Sequence, residues 1–138
     1  MKNPLPGRMY LDHNFPFRDG TSKPKYVVVL TAHAENLDWY YVVPTTSGEK
    51  SDCIAGCHLK WPECFYLPDN ENPIGSQSWI MLDDVYNADF EILKRKCKYI
   101  GDISLETTKS ILICGSKSGS IPIEVCELFE SEASLILC

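Results

Sequence analysis

Lys25 opens the apolar run "KYVVVL", and a second apolar and aromatic run, "WYYVVP", ends on Thr45, Thr46 and Ser47. An ammonium group and hydroxyls carried at the ends of two rigid, adjacent strands can hold a phosphate at fixed distance. "PTTSG" also reads as plain turn chemistry, since Pro, Thr, Ser and Gly are ordinary turn residues. Arg18 in "FRDG" offers a phosphate or sugar contact, although Asp-Gly is itself a common turn pair. His13, His33 and His58 are each a candidate general base, but without a partner nucleophile in view each reads better as a loop or surface histidine.

Two further groups have chemical potential with a plainer reading beside it. "CIAGCHLKWPEC" sets Cys53, Cys57, His58 and Cys64 close enough to supply four zinc ligands, yet the spacing lacks a paired C-x2-C knuckle, and burial as small apolar side chains is the better reading. Trp39, Tyr40, Tyr41, Trp61 and Trp79 could stack on nucleic-acid bases, but aromatics in strands more often fill cores. Glycine-rich phosphate loops, H-E-x-x-H and G-x-S-x-G are absent from the sequence, so nucleotide hydrolysis, zinc proteolysis and α/β-hydrolase chemistry lack sequence support. No metal or other cofactor is expected.

These residues need strands to position them. "RMYL" (Arg8 to Leu11) reads as a short first strand, followed by a loop rich in Pro, Gly and Asp. "YVVVL" and "WYYVVP" are β-branched and aromatic at strand length, and the intervening "TAHAENLD" suits a hairpin connection. "CFYLP" and "SWIML" repeat that texture, so several short strands at loop-length spacing predict a small barrel. "NADFEILKRKCKYIGDI" is ambiguous between helix and strand. From Ser104 the signals are helical: a serine N-cap, Glu106 in the first turn, Leu105, Thr108, Ile111 and Leu112 at helical spacing, and Gly115 placed to stop the helix. A second helix starts with Pro122 in its first turn and points Ile123, Cys126, Leu128 and Phe129 toward a core or partner.

The 138 residues suffice for one domain, and 44% hydrophobic with 23% charged residues is a globular balance that argues against disorder. Apolar runs such as Ile111 to Cys114 fall far short of the roughly 20 residues of a membrane span. The opening "MKNPLPGRMYLDHNF" has no sustained apolar stretch after its lysine, so the chain is expected in the cytoplasm. Seven cysteines, an odd number, without such a leader favour reduced thiols over a disulfide framework. The net charge of -6 weakens any case for indiscriminate nucleic-acid binding, though the first 25 residues and "KRKCK" (Lys94 to Lys98) are locally basic. Beyond Lys117 the chain carries Glu124, Glu127, Glu130 and Glu132 and no basic residue.

The order of these features resembles the PemK/MazF toxin family. "GRMYL", a loop, "KYVVVLT" and a strand closing on "VPTTS" follow that family's order, and "SWIMLDDVYNADFEILKRKCKYIGDISLETTKSIL" is similar to its Leu-x-Asp turn and its "IG-x-hydrophobic-Ser" lead into a helix. The likeness runs from about Gly7 to Ile113 and is closest to a divergent branch. It implies a single domain over residues 1–138: a mainly β, SH3-like barrel over about 7–103 and a C-terminal helical part over about 104–138. It further implies metal-independent cleavage of single-stranded RNA by 2′-hydroxyl attack on the adjacent phosphate, a homodimer and an antitoxin partner. Carried onto this chain, the family's arginine falls on Lys25, with Lys23 as the nearby alternative, and its threonine falls on Thr45, with Thr46 beside it. Arg18, Lys23, Thr46 and Ser47 are then expected around the substrate. Lysine for arginine departs from the pattern, because an ammonium is a point charge without the planar fork of a guanidinium. A binding module on the same barrel, without nuclease activity and serving a defence or regulatory assembly, is the alternative expectation.

Overall fold

In the computed structural model, residues 6–16, 19–30, 39–46, 56–57, 64–68, 72–75, 77–82, 85–117 and 121–136 are described, with backbone alone for 39–46, 87–90 and 92. Along the chain these residues form β1 (Arg8–Pro16), β2 (Ser22–Val29), β3 (Trp39–Thr46), β4 (Gly56–Cys57), β5 (Cys64–Leu67), β6 (Ser78–Met81) and β7 (Tyr86–Asp89). Then come α1 (Phe90–Lys96), β8 (Cys97–Asp102), α2 (Leu105–Ser116) and α3 (Ile123–Ser134). The described fold is a mixed α+β arrangement of antiparallel strands and three helices.

β2 explains why its sequence is an unbroken apolar run. Val27 and Val29 enter one buried cluster with Tyr10, Phe15 and Leu93, whereas Val28 and Leu30 enter another with Met9, Phe65, Ile80 and Phe129. Successive strand residues point to opposite faces, so a strand covered on both sides cannot alternate apolar with polar. β1 pairs antiparallel with β2 and with β8, which places β2, β1 and β8 side by side. The strand Arg8 to Leu11 read from the sequence extends to Pro16, with a register shift between Asp12 and Phe15.

β3 joins two sheets. Residues Trp39 to Val42 pair with β7, Val42 to Pro44 with β2, and Thr45 and Thr46 with Ile80 and Trp79 of β6. Pro44 stands where the strand leaves β2; it has no N–H to donate, so the ladder loses a hydrogen bond at the point where the partner changes. The second sheet continues from β6 to β5 and then β4. The expected β2–β3 adjacency is present, and "CFYL" pairs with "SWIM". The connection over 31–38 lies outside the described residues.

The ambiguous stretch resolves into helix and then strand: one face of α1 buries Leu93, and the chain turns extended at Cys97. α2 starts as its cap signal dictates, with Ser104 Oγ accepting the Thr107 N–H at 3.2 Å. Gly115 does not stop it. The helix runs one residue further, and Gly115 is buried against α3, where an added Cβ would come within 2.9 Å of Phe129 Cδ2. This glycine is a close-approach residue between two helices rather than a terminator. In α3, Phe129 is buried as expected, but Ile123 occupies the exposed first turn and is 68% accessible.

The expectation of reduced cysteines is corrected by a Cys57–Cys114 disulfide, which links β4 to α2 with Cα atoms 5.6 Å apart. That expectation rested on the character of the N-terminal stretch, whereas pairing depends on a fold that brings together residues 57 apart in sequence. Cys57 is thereby taken from the zinc set considered above, and Cys53 and His58 lie outside the described residues. Among the described residues no group of three or more His, Cys, Asp or Glu is arranged to hold a metal ion, and no helix is long and apolar enough to cross a membrane.

Candidate functional site

Lys25 sits near the open end of β2, before the strand enters the core. Its cross-strand neighbour is Asp12 of β1, and Asp12 in turn stands opposite Cys97 of β8. Directly paired residues of an antiparallel ladder share a face, so Lys25, Asp12 and Cys97 form one row across three strands. The next row of the same face is Val27, Tyr10 and Tyr99. It leads into the cluster that α1 closes with Leu93, and there Phe15 meets Tyr86 edge-on with ring centroids 4.7 Å apart.

The row is electrostatically mixed. Partial burial holds the Lys25 ammonium below its ordinary pKa of 10.5, and the like charge of Lys23 adds to the effect. At the other end, burial pushes the Cys97 thiol up to about 12, helped by the charge of Asp12 and a hydrogen bond to it, with Lys96 opposing. Cys97 is therefore a thiol near neutral pH and no nucleophile. Asp12 also accepts the Asn14 N–H at 3.0 Å, which fixes its carboxylate at the register shift of β1. Ahead of β2, Asp19 accepts both the backbone N–H of Thr21 at 2.9 Å and its hydroxyl at 2.6 Å, and these bonds lower the Asp19 pKa.

An aromatic lies beside the row at the sheet edge. Tyr99 is 49% accessible, its ring 5.8 Å from that of Tyr10, and the Arg8 guanidinium lies 5.4 Å from its centroid. Arg8 Nε stands 3.6 Å from Asp102 Oδ1, an ion-pair rather than a hydrogen-bond distance. A hydrogen bond to Asp102 raises the Tyr99 pKa, with partial desolvation adding to it. Lys94, Arg95, Lys96 and Lys98 are exposed along α1 and β8, so this end of the sheet combines cations with an accessible ring. The arrangement can attract a phosphodiester and offer a stacking surface for a base.

Of the residues expected from the sequence, Lys25 and Lys23 lie on β2, and Thr45 and Thr46 end β3. Arg18 and Ser47 lie outside the described residues, as do His33, His58 and Trp61. His13 is exposed on β1, and Trp79 is buried at 1% accessibility, a core residue. The register separates Lys25 from Thr45. The β2–β3 ladder pairs Val27 with Pro44 and Val28 with Val43, so Thr45 holds the parity of Val28, whereas Thr46 holds the parity of Val27 and Lys25. Asp12, Cys97 and Tyr99 were not singled out from the sequence. A period-two reading of "YLD" and "CKY" carries their signal, since Tyr10 and Asp12, and Cys97 and Tyr99, are each two residues apart.

A cavity among the described residues lies elsewhere. It measures about 380 Å³, is lined by Glu127, Glu130, Ser131 and Ser134 of α3, and shares no residue with the row. No protein-family model matches the chain, and the search of curated proteins found no match.

Proposed function

We propose that the chain is a metal-independent endoribonuclease toxin on an SH3-like barrel of the PemK/MazF type, cleaving single-stranded RNA, and held in check by an antitoxin protein. Cytoplasmic residence and a homodimer belong to the same proposal. The observation that carries it is Lys25: a lysine with lowered pKa at the end of a buried strand, in a row that leads to an exposed tyrosine among basic residues. The order of antiparallel strands, short helix, strand and capped helix supports the family reading alongside it.

In the proposed reaction the ribose 2′-hydroxyl gives its proton to solvent, its oxygen attacks the adjacent phosphorus, and the bond to the 5′-oxygen breaks. A 2′,3′-cyclic phosphate and a 5′-hydroxyl result. The Lys25 ammonium stabilises the charge that builds on the phosphoryl oxygens, and its lowered pKa suits it to protonate the departing 5′-oxygen. Thr46, of matching parity, is the hydroxyl proposed to orient the phosphate, ahead of Thr45. Lys23 adds positive potential beside Lys25. Arg18 and Ser47 stay in the proposal as substrate contacts.

A non-catalytic binding module is the second reading. What favours it is Asp12, whose carboxylate stands opposite Lys25 in the ladder and opposes the approach of a phosphate. Incubating the full chain with single-stranded RNA in chelator separates the two. Cleavage by the parent that Lys25→Ala and Thr46→Ala abolish supports the enzyme; intact RNA that is nonetheless bound supports the module.

A further inference from the structure

The Cys57–Cys114 bond joins two unequal partners. Cys114 is 2% accessible on α2 and packs in the larger buried cluster with Ile111, Leu112 and Phe129. Cys57 is exposed on β4, a two-residue strand at the end of its sheet whose described ladder runs only to Phe65 and Tyr66 of β5. So short a pairing is marginal by itself, and the covalent bond to α2 is what adds to it. On the Cys114 side, the backbone carbonyl of Cys64 lies 3.9 Å from Sγ. In the oxidised state that sulfur carries no proton. Once reduced it carries one, and the Cys64 carbonyl is already placed to accept it.

From this asymmetry we infer that Cys57–Cys114 is a redox latch: oxidised, it clamps β4 to α2; reduced, it frees β4 while α2 keeps its place in the core. The co-reactant is a dithiol of the thioredoxin chemical class. Its thiolate attacks the exposed Cys57 sulfur and forms a mixed disulfide; the Cys57–Cys114 bond breaks, and Cys114 leaves as a thiolate that takes a proton from solvent. The second thiolate of the dithiol then closes on the first, releasing Cys57, which is protonated. Two electrons and two protons have passed to the protein, and the dithiol has become a disulfide. Cys114 Sγ sits at one place, bonded to Cys57 of β4 and 3.9 Å from the Cys64 carbonyl of β5, so the two states differ in whether β4 is tied to it. The latch rests on the fold and is independent of the RNA reading, so its test uses no activity.

The test takes the full chain in oxidised form and after equilibration with a millimolar dithiol under native conditions. Alkylation in denaturant after the native incubation, followed by peptide mapping, should show two more free thiols in the reduced sample, those of Cys57 and Cys114. Hydrogen exchange should then quicken about tenfold or more in peptides covering Gly56–Cys57 and Cys64–Leu67, with β1, β2 and α2 unchanged. Cys57→Ser should exchange like the reduced parent in both conditions, while Cys126→Ser should keep the full response. Four results would overturn the latch: a different partner for Cys114, thiols at both positions after mild oxidation, a bond that resists the dithiol unless the protein is unfolded, or identical exchange in the two redox forms. The parent comparison alone decides the matter if Cys57→Ser fails to fold.

Discussion

Gly7 and Gly20 adopt nearly the same backbone conformation, with φ of +91° and +90°, in opposite surroundings. Gly7 is a junction: its N–H donates to the Val29 carbonyl at 2.8 Å, and its own carbonyl accepts the Ile103 N–H at 2.9 Å. A Cβ there would strike Thr108 Oγ1 and lie 3.3 Å from the Ile103 oxygen, whereas a Cβ on Gly20 would meet nothing within 4 Å. Thr108 has no room to retreat, being 0% accessible and donating its hydroxyl to the Ser104 carbonyl at 2.8 Å. The positive φ should cost either alanine variant about 1 to 2 kcal/mol. Displacing the Thr108 hydroxyl from its buried bond adds about 1 to 3 kcal/mol for Gly7→Ala alone. Gly7→Ala should therefore be less stable than Gly20→Ala by roughly 2 kcal/mol, a melting difference of about 6 to 8 °C in a chain of this size. Denaturant titration of both variants beside the parent measures the gap. Equal losses, to within about 0.5 kcal/mol, would refute the packing of β1, β8 and α2 around Gly7.

The charged row makes two smaller claims. Because Lys25 binds its proton less tightly in the folded chain than in the unfolded one, stability should rise with pH between its lowered value and 10.5. Lys25→Met should remove that rise, so its stability gain over the parent should be largest near neutral pH and shrink as pH climbs from the lowered value to 10.5 in a series of melts. Burial is the main cause of the raised Cys97 pKa and the Asp12 charge the next, so Asp12→Asn, which removes that charge, should let Cys97 alkylate several-fold faster at alkaline pH, read peptide by peptide in a mass spectrometer. An unchanged rate would mean that burial alone sets the thiol.

What could be read from the sequence depended on whether its cause was local. Tyr26 to Val29 is recognisable because burial on both faces demands a continuous β-branched run, and the start of α2 because a serine cap is a short-range device. "FEILKRKCKYIG" resisted reading because Leu93 and Cys97 keep helical spacing across a boundary where the backbone turns extended. Gly115 was misread because a glycine that ends a helix and one that admits a neighbouring ring look alike until Phe129 is in place. The site was half legible. Lys25 and the threonines could be proposed from strand ends, but the row needs the register of β2, β1 and β8, and the change of partner at Pro44 decides which threonine shares the parity of Lys25. The disulfide had no local signal, since its cysteines are 57 residues apart.

The most direct measurement of the proposed function is the chemistry of the cut ends. Single-stranded RNA incubated with the full chain in chelator should yield fragments ending in a 2′,3′-cyclic phosphate and beginning with a 5′-hydroxyl, Lys25→Ala should abolish them, and Thr46→Ala should reduce them more than Thr45→Ala. RNA left whole by protein shown to be folded and free of any inhibitor, or fragments beginning with a 5′-phosphate, would contradict the account.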